Sequence, residues 1–386
     1  MSTPTTPPSS HEPPPGPDGP IPLVDLRLQH AQVGAEVEAG WARVLAATSY
    51  VLGAEVAEFE REFARFCGVG HCVGVANGTD ALELALRAAG VGDGDEVVLP
   101  ANTFVASAEA VARAGARVVL ADCDPTYLLL DPAAAKDALT PRTRAIMAVH
   151  LYGQVAPVDD LAAIAEAGGL LLVEDAAQAQ GARRHGAAAG SLGRVAGTSF
   201  YPGKNLGAYG DAGAVLTGDG ELARRLRALR NHGSEAKYHH PELGFNSRMD
   251  ALQAVVLRAK LARLERWNAE RRAAAARYAE LLGGCEALTL PATMPGNRHA
   301  WHLYVVQVDE RDRVLAALNA AGIGAGIHYP VPVHLHGAFA GLGHARGDFP
   351  VAEAAAGRIL SLPLYPGITA AQQERVADTL RKAVGC

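Results

Sequence analysis

The chain has 386 residues, of which 49% are hydrophobic and 20% are charged, and its formal net charge is -6. This length favours two domains, or one large domain with a smaller one, over a single core. The acidic balance argues against binding to nucleic acid or to an anionic membrane, and no apolar run reaches the length of a bilayer span.

The first 20 residues are rich in Pro, Ser and Thr. They lack the basic and apolar regions of a signal peptide, which fits a cytoplasmic protein. We therefore predict that residues 1–20 form a disordered, proline-rich leader.

A helical pattern runs from about Val33 to Cys67, with a break near Gly53. Short apolar runs then alternate with helical segments, which is typical of a mainly parallel sheet with helices on both faces. The predicted strands are Cys72–Val75, Glu96–Leu99, Arg117–Leu120, Ala145–Val149 and Leu170–Val173, and the predicted helices are Asp80–Ala89, Val105–Ala114, Pro132–Leu139 and Asp159–Ala167.

Two further strands are predicted at Val195–Phe200 and Gly213–Thr217, joined by a glycine-rich loop. A hairpin-like excursion at this point would make the sheet mixed. A long helix follows from Asp250 to about Leu282. Beyond it, a β-α-β unit is predicted over His302–Val308, Arg311–Ala321 and Ile323–His328, and a last helix over Ala370–Val384.

This order of elements predicts a two-domain organisation. An N-terminal segment and a large domain would cover residues 21–263, and a small C-terminal α/β domain would cover residues 264–386.

The five cysteines are scattered and include no C-x-x-C pair. Reduced thiols are therefore expected, rather than a disulfide framework or a zinc site. Cys67 and Cys72 flank a predicted strand entrance, and we expect both to be buried.

The glycine-rich loop contains Tyr201-Pro202-Gly203-Lys204-Asn205, although the whole chain has only five lysines. A desolvated lysine can lose its proton and form an imine with an aldehyde, which an arginine cannot do. Taken alone, this loop favours the ordinary alternative, a surface lysine in a turn. Three other segments change that balance.

The first of these segments is Val75–Leu82, where a strand ends, Gly78 turns the chain and a helix begins with Thr79 and Asp80. Free N–H groups and the positive end of the helix would bind a phosphate there. The alternative is an ordinary capped helix. The segment matches neither Walker A nor G-x-G-x-x-G, so the usual sequence signatures of ATP and NAD binding are absent from it.

The other two segments place a carboxylate and an aromatic ring at the ends of strands. Asp175 directly follows an apolar strand, where open α/β sheets bind ligands, and a protonated pyridine nitrogen would satisfy it. Its alternative role is a helix N-cap. Phe104 follows another strand and could stack on a flat ring, the alternative being core packing.

One sheet edge would thus offer an imine-forming lysine, an anion site, a carboxylate and an aromatic plate. Pyridoxal 5'-phosphate needs all four, for its aldehyde, its phosphate, its ring nitrogen and its ring face. This cofactor is the one that the sequence predicts.

At these residues the sequence resembles the DegT/DnrJ-type sugar aminotransferases, which have the PLP-dependent transferase fold type I of aspartate aminotransferase. The resemblance runs from about Ile21 to the C-terminus. It implies a large domain with a central, mostly parallel mixed sheet and a small α/β domain. The matching blocks are Ala76–Ala81, Gly92–Ser107, Val149–Gly153, Val173–Gly181, Ser199–Gly207, Asn246–Asp250 and His328–His334.

The resemblance implies a role for each matching site residue. Lys204 would form the imine with the cofactor and then shuttle the proton, while Asp175 would hold the pyridinium and Gln178 would contact the ring hydroxyl. Asn246 would reach the phosphate of the neighbouring subunit, which implies a homodimer with shared active sites. The phosphate would be held by Gly78, Thr79 and Ser199.

Within the family, Tyr201–Asn205 and His328–His334 resemble the members that aminate C3 of nucleotide-linked 3-keto-6-deoxyhexoses, expected here as dTDP sugars. L-glutamate would supply the amino group through pyridoxamine 5'-phosphate. Tyr201, His328 and Tyr329 would then line the sugar site, or alternatively serve a structural role. The His334 and His336 pair lacks the further ligands that a metal site needs.

Three alternatives remain at this point. One is amination at C4, or amination of another keto sugar or a cyclitol. A second is a dehydratase on the same scaffold, but those relatives carry histidine where this chain has Lys204. A third is a non-catalytic regulator or sugar-binding protein, which predicts loss of Lys204 or Asp175, and both are present.

Overall fold

The computed structural model describes residues 19–236 and 238–386. The predicted leader over residues 1–20 lies outside the described residues except for its last two. Two helices open the fold, α1 (Leu26–Ala47) and α2 (Gly53–Cys67). The predicted break at Gly53 is confirmed: this residue has a φ of +81°, which a glycine adopts without strain.

A seven-stranded sheet forms the centre of the fold. Its strands are β1 (His71–Val75), β2 (Glu96–Pro100), β3 (Arg117–Ala121), β4 (Thr143–Val149), β5 (Leu171–Asp175), β8 (Val195–Ser199) and β9 (Gly213–Thr217). The spatial order is β1-β9-β8-β5-β4-β2-β3. β9 runs opposite to the other six strands of this sheet, which are parallel to one another, so the prediction of a mostly parallel mixed sheet is confirmed.

Helices cover both faces of this sheet, which is why the central strands are almost continuously apolar and buried. The connecting helices are α3 (Gly78–Ala88), α4 (Val105–Arg113), α5 (Pro132–Asp137), α6 (Val158–Gly168) and α7 (Gly220–Leu229). Two short strands, β6 (Arg183–Arg184) and β7 (Ala187–Ala188), form a minor sheet with β11 (Asn297–Arg298).

The C-terminal part begins with the long helix α8 (Ala251–Leu282), as predicted. A second sheet has the order β10-β12-β13, with β10 (Leu288–Thr289), β12 (Tyr304–Val308) and β13 (Ile359–Leu362). Its helices are α9 (Arg311–Ala320), α10 (Pro350–Arg358) and α11 (Ala370–Val384). Nothing in the fold tests the domain boundary near residue 263, which stays a prediction.

The predicted strand Ile323–His328 is wrong. This segment makes only isolated bridges, from Ile323 to Ile21 and from Gly326 to Ser361. Its glycines provide no side chains to pack against a sheet, and a Cβ on Gly324 would lie 2.8 Å from the amide nitrogen of Leu23. The segment is thus shaped by the close approach of the N-terminal part of the chain, and β13 takes the place beside β12, antiparallel to it.

The expectation that all cysteines are reduced is also wrong. Cys285 and Cys386 form a disulfide, with their Cα atoms 5.7 Å apart. The packing of α11 against α8 brings these two residues together over a sequence separation of 101, which spacing alone does not reveal. Cys67, Cys72 and Cys123 are free, and the expected burial of the first two is confirmed.

Candidate active site

A cavity of about 650 Å³ lies where the chain leaves the carboxyl ends of β5 and β8. It is bordered by the N-termini of α3 and α4 and by residues that follow β11, as expected for ligand sites in open α/β sheets. Ten of the eleven predicted site residues line it, and Asn246 does not. They are Gly78, Thr79, Phe104, Asp175, Gln178, Ser199, Tyr201, Lys204, His328 and Tyr329.

Lys204 lies in the loop between β8 and β9 and lines this cavity. Burial lowers the pKa of the amine from 10.5 to about 8, because desolvation disfavours the charged form, while the nearby carboxylate of Asp175 acts in the opposite direction. Lys204 is only partly exposed and borders the cavity, which favours a site lysine over a freely solvated lysine in a turn.

A second lysine, which sequence reasoning missed, holds the far end of this loop. Lys260 on α8 is buried and donates a hydrogen bond of 2.7 Å to the carbonyl oxygen of Gly207. Its ammonium also lies 4.5 Å from the ring centroid of Tyr209, a cation–π contact. These two contacts of Lys260 attach the loop that carries Lys204 to the long helix α8.

Asp175 is the last residue of β5, and both of its oxygens are positioned by donors. Ser107 donates a hydrogen bond of 2.6 Å to Oδ2, and the amide of Ala177 donates one of 3.1 Å to Oδ1. Because the hydroxyl of Ser107 donates to this carboxylate, it accepts in turn from the hydroxyl of Thr103, 2.8 Å away. These bonds orient a buried carboxylate toward the cavity.

The start of α3 has the geometry that the predicted phosphate site requires, and phosphate binding there stays a prediction. The side chain of Asn77 caps this helix by accepting a hydrogen bond of 2.8 Å from the amide of Asp80, while the first N–H groups have no acceptor within the helix. A Cβ on Gly78 would lie 2.5 Å from the Cβ of Ser199. Only glycine therefore lets the end of β8 approach the helix terminus this closely.

Aromatic and amide groups close one side of the cavity. Gln178 accepts a hydrogen bond of 2.6 Å from the amide of Tyr152 and donates one of 3.0 Å to the hydroxyl of Tyr329. The ring of Phe104 lies 4.9 Å from that of Tyr329 and remains 47% exposed. Phe104 is therefore a wall of the cavity and not a core residue.

Two of the three candidate sugar-binding residues, Tyr201 and His328, lie at different depths in the cavity. Tyr201 is exposed at the mouth. His328 is deeper: its Nδ1 lies 2.8 Å from Oγ of Ser361, and burial, helped by the positive charge of Lys204, lowers its pKa to about 4. His328 is therefore neutral at physiological pH.

Asn246 lies apart from the cavity and is exposed to solvent. Its predicted contact with the phosphate of a neighbouring subunit stays a prediction. The neighbouring Ser247, which sequence reasoning missed, is buried and donates a hydrogen bond of 2.8 Å to Asp80 in the first turn of α3.

Sequence reasoning also missed His302 and Tyr152, both of which line or support the cavity. The hydroxyl of Tyr152 donates a hydrogen bond of 2.5 Å to the carbonyl oxygen of His328. Tyr152 lies inside the matching block Val149–Gly153, but no role was assigned to it, and His302 lies outside all of the matching blocks.

Two negative findings concern residues 19–236 and 238–386. No helix there is long and apolar enough to cross a membrane, and no group of three or more His, Cys, Asp or Glu residues could hold a metal ion. In the His334 and His336 pair, the ring of His334 is used instead in a hydrogen bond of 2.9 Å with Glu353.

These residues fit pyridoxal 5'-phosphate. The amine of Lys204 could meet an aldehyde, the start of α3 could hold a phosphate, and the oriented carboxylate of Asp175 could face a protonated ring nitrogen. The cavity volume leaves room for a second ligand beside the cofactor.

Comparison with known proteins gives a consistent result. The model of the DegT/DnrJ/EryC1/StrS aminotransferase family matches residues 32–381. The chain is 48% identical to dTDP-3-amino-3,4,6-trideoxy-alpha-D-glucose transaminase of Streptomyces venezuelae, over 94% of this chain and 96% of that protein. It is also 48% identical to the erythromycin biosynthesis sensory transduction protein EryC1 of Saccharopolyspora erythraea, over 94% of this chain and 99% of that protein.

Among solved structures, the crystal structure of Streptomyces venezuelae DesV in complex with a ketimine intermediate superimposes with a TM-score of 0.93. The sequence identity is 48%, and the match covers 95% of this chain and 99% of that chain.

Proposed function

The chain belongs to the DegT/DnrJ/EryC1/StrS aminotransferase family, and on that premise we propose that it is a PLP-dependent aminotransferase that converts a nucleotide-linked 3-keto-6-deoxyhexose into the 3-amino sugar. The observation that carries this proposal is the amine of Lys204, desolvated in a cavity that also holds Asp175. The relatives support the substrate class, since one of them is named for a 3-amino dTDP sugar.

When bound, the cofactor supplies an aldehyde for amines and a ring that withdraws electrons from the substrate carbon. Asp175, held by Ser107 and the amide of Ala177, would offer its carboxylate to a protonated ring nitrogen. The N–H groups at the start of α3 would hold the phosphate.

Lys204 moves the proton. Its neutral Nζ takes a proton from the carbon of the amino donor and later returns one to the sugar carbon. A pKa of about 8 leaves both protonation states of the amine accessible near neutral pH. Phe104, Gln178 and Tyr329 border the cavity on one side, where the reacting groups would lie.

The family resemblance adds three parts to the proposal: L-glutamate is the amino donor, the active form is a homodimer with shared sites, and the protein is cytoplasmic. Asn246, exposed outside the cavity of its own chain, is available for contact with a second subunit. Analytical ultracentrifugation of wild-type protein and of Asn246→Ala, with cofactor affinity measured on both, tests the shared site. The variant should keep the dimer and lose cofactor affinity.

The central experiment incubates purified protein with pyridoxal 5'-phosphate, L-glutamate and a panel of dTDP- and UDP-linked 3-keto and 4-keto sugars. NMR then locates the new amine. We expect amination at C3 of a dTDP 3-keto sugar. Amination of the 4-keto sugars alone would overturn the regiochemistry, and no amination with any sugar would overturn the proposed function.

A regulatory role is the second candidate, because one relative is named a sensory transduction protein. Lys204→Ala separates the two. If the protein is an enzyme, Lys204→Ala should lose both the visible absorbance of the lysine-bound cofactor and turnover, while its circular dichroism spectrum stays as in the wild type. A variant that kept both absorbance and turnover would refute the role given to Lys204.

A further inference from the structure

The segment before α1, residues 19–25, pairs with the loop that follows α9, and we call it the N-terminal strap. The amide of Ile21 donates a hydrogen bond of 2.9 Å to the carbonyl oxygen of Gly322, and the carbonyl oxygen of Ile21 accepts one of 2.7 Å from the amide of Gly324. The carbonyl oxygen of Leu23 accepts a third bond from a backbone amide just after β13. The strap is therefore fixed to the C-terminal part of the fold by its backbone.

Glycines in the loop after α9 allow the strap to approach closely. A Cβ on Gly324 would lie 2.8 Å from the amide nitrogen of Leu23. A Cβ on Gly326 would lie 3.4 Å from Cδ2 of Leu23 and 3.2 Å from Cε1 of His328. The side chains of Leu23 and His328 are therefore neighbours, with only a glycine beside them.

The strap forms part of the wall of the active-site cavity. Leu23 and Val24 line this cavity together with His328, and both are partly exposed, which places them in its outer part. The residues that fit the cofactor come instead from β5, from the loop after β8 and from the starts of α3 and α4. The wall that the strap forms is thus left for the second ligand.

This wall offers hydrocarbon and no charge. The side chains of Leu23 and Val24 are aliphatic, and the carbonyl oxygen of Leu23 is already used. Among the described residues that line the cavity, the lysine and arginine side chains are Lys204 and Arg113, and Arg113 is paired with two carboxylates of α3. A carboxylate placed against the strap would lose water without gaining a cation, and a hydroxyl would face carbon atoms.

The shape of a hexose relates this wall to one carbon of the sugar. In a hexopyranose ring C3 lies opposite the ring oxygen, whereas C5, which carries C6, is bonded to that oxygen. With C3 at Lys204, C6 therefore lies on the side of the ring away from the reacting carbon. We propose that Leu23 and Val24 are specificity-determining residues that contact C6 and select a methyl group there over a hydroxymethyl or a carboxylate group. The inference rests on the proposed function.

The expected selection is moderate for a hydroxyl and stronger for a charge. An aliphatic wall discriminates against an added hydroxyl by about tenfold to a hundredfold, because the loss is that of one unpaired polar group. It discriminates against a carboxylate more strongly, since an ion without a partner is more costly to bury.

The experiment uses the full-length protein loaded with pyridoxamine 5'-phosphate and three dTDP-linked 3-amino sugars. The sugars differ only at C6, which is a methyl, a hydroxymethyl or a carboxylate group. Isothermal titration calorimetry measures each Kd, and no chemistry accompanies binding because two amines do not react with each other. We expect the methyl sugar to bind about tenfold to a hundredfold more tightly than the hydroxymethyl sugar, and the carboxylate sugar to bind most weakly.

Variants of the strap assign this preference to its side chains. The double variant Leu23→Ser/Val24→Ser should reduce the ratio of the hydroxymethyl Kd to the methyl Kd by about tenfold. Leu23→Met, which keeps an apolar side chain of similar volume, should retain the wild-type ratio. The matched control is Leu26→Ser, because Leu26 is partly exposed on α1 and does not line the cavity.

Three results would overturn the inference: equal Kd values for the methyl and hydroxymethyl sugars in the wild type, an unchanged ratio in the double serine variant, or an equal change in the Leu26 variant. The wild-type comparison needs no substitution, so it remains decisive if a variant fails to fold. If none of the three sugars bound, the proposed substrate class would fail together with the inference. Absence of amination in the NMR experiment, with selective binding here, would count against the proposed function alone.

Discussion

The lowered pKa of Lys204 leads to a quantitative prediction for the capture of the cofactor. With a pKa of about 8, about a quarter of the amine is neutral at about pH 7.5, whereas a lysine with the ordinary pKa of 10.5 is only about 0.1% neutral. Since only the neutral amine is a nucleophile, the rate of capture should rise about tenfold per pH unit below pH 8 and level off above about pH 9.

The perturbation is a pH series on cofactor-free protein mixed with pyridoxal 5'-phosphate, with the growth of visible absorbance as the assay. Lys204→Ala supplies the background from other lysines. Asp175→Asn should move the midpoint below that of the wild type, because this carboxylate raises the pKa of Lys204. A rate that continued to rise tenfold per unit up to about pH 10 would refute the burial argument.

Two further predictions concern the anion site and the disulfide. Gly78→Ala should weaken cofactor binding about tenfold or more, because the new Cβ would collide with Ser199. An absorbance titration with pyridoxal 5'-phosphate measures this. The control is Gly357→Ala, which should bind the cofactor as the wild type does, because Gly357 in α10 has open space around it. Cys386→Ser should lower the unfolding free energy by at most about 4.7 kcal/mol, the chain-entropy limit for a loop of about 100 residues. Thermal unfolding with and without dithiothreitol checks this, since reduction should destabilise the wild type and leave the Cys386 variant unchanged; equal melting temperatures in all samples would contradict it.

The sequence was most informative where local pattern and tertiary environment agree. The strands of the large sheet are apolar and separated by helical segments, so both their existence and their order along the chain could be predicted. Lys204, Asp175 and Gly78 could be associated because each follows a strand of one sheet, and parallel strands bring such ends together.

The errors arose where distant segments determine the outcome. The segment Ile323–His328 has a strand-like composition in part, but contact with the N-terminal segment determines its path. The bond from Cys285 to Cys386 depends on how α11 packs against α8. His302 is a cavity residue only because its ring is held by Asn205 from another part of the chain.

The hairpin of β8 and β9 has a mechanical consequence for the reactive lysine. Both strands lie inside the sheet, between β1 and β5, and Lys260 ties the loop between them to α8. The backbone of the Lys204 loop is therefore held by β8, by β9 and by the hydrogen bond from Lys260. If the Lys204 amine moves between the donor carbon and the sugar carbon, the movement must come from rotation about its side-chain bonds. The reach of this one side chain therefore limits the distance between the two carbons.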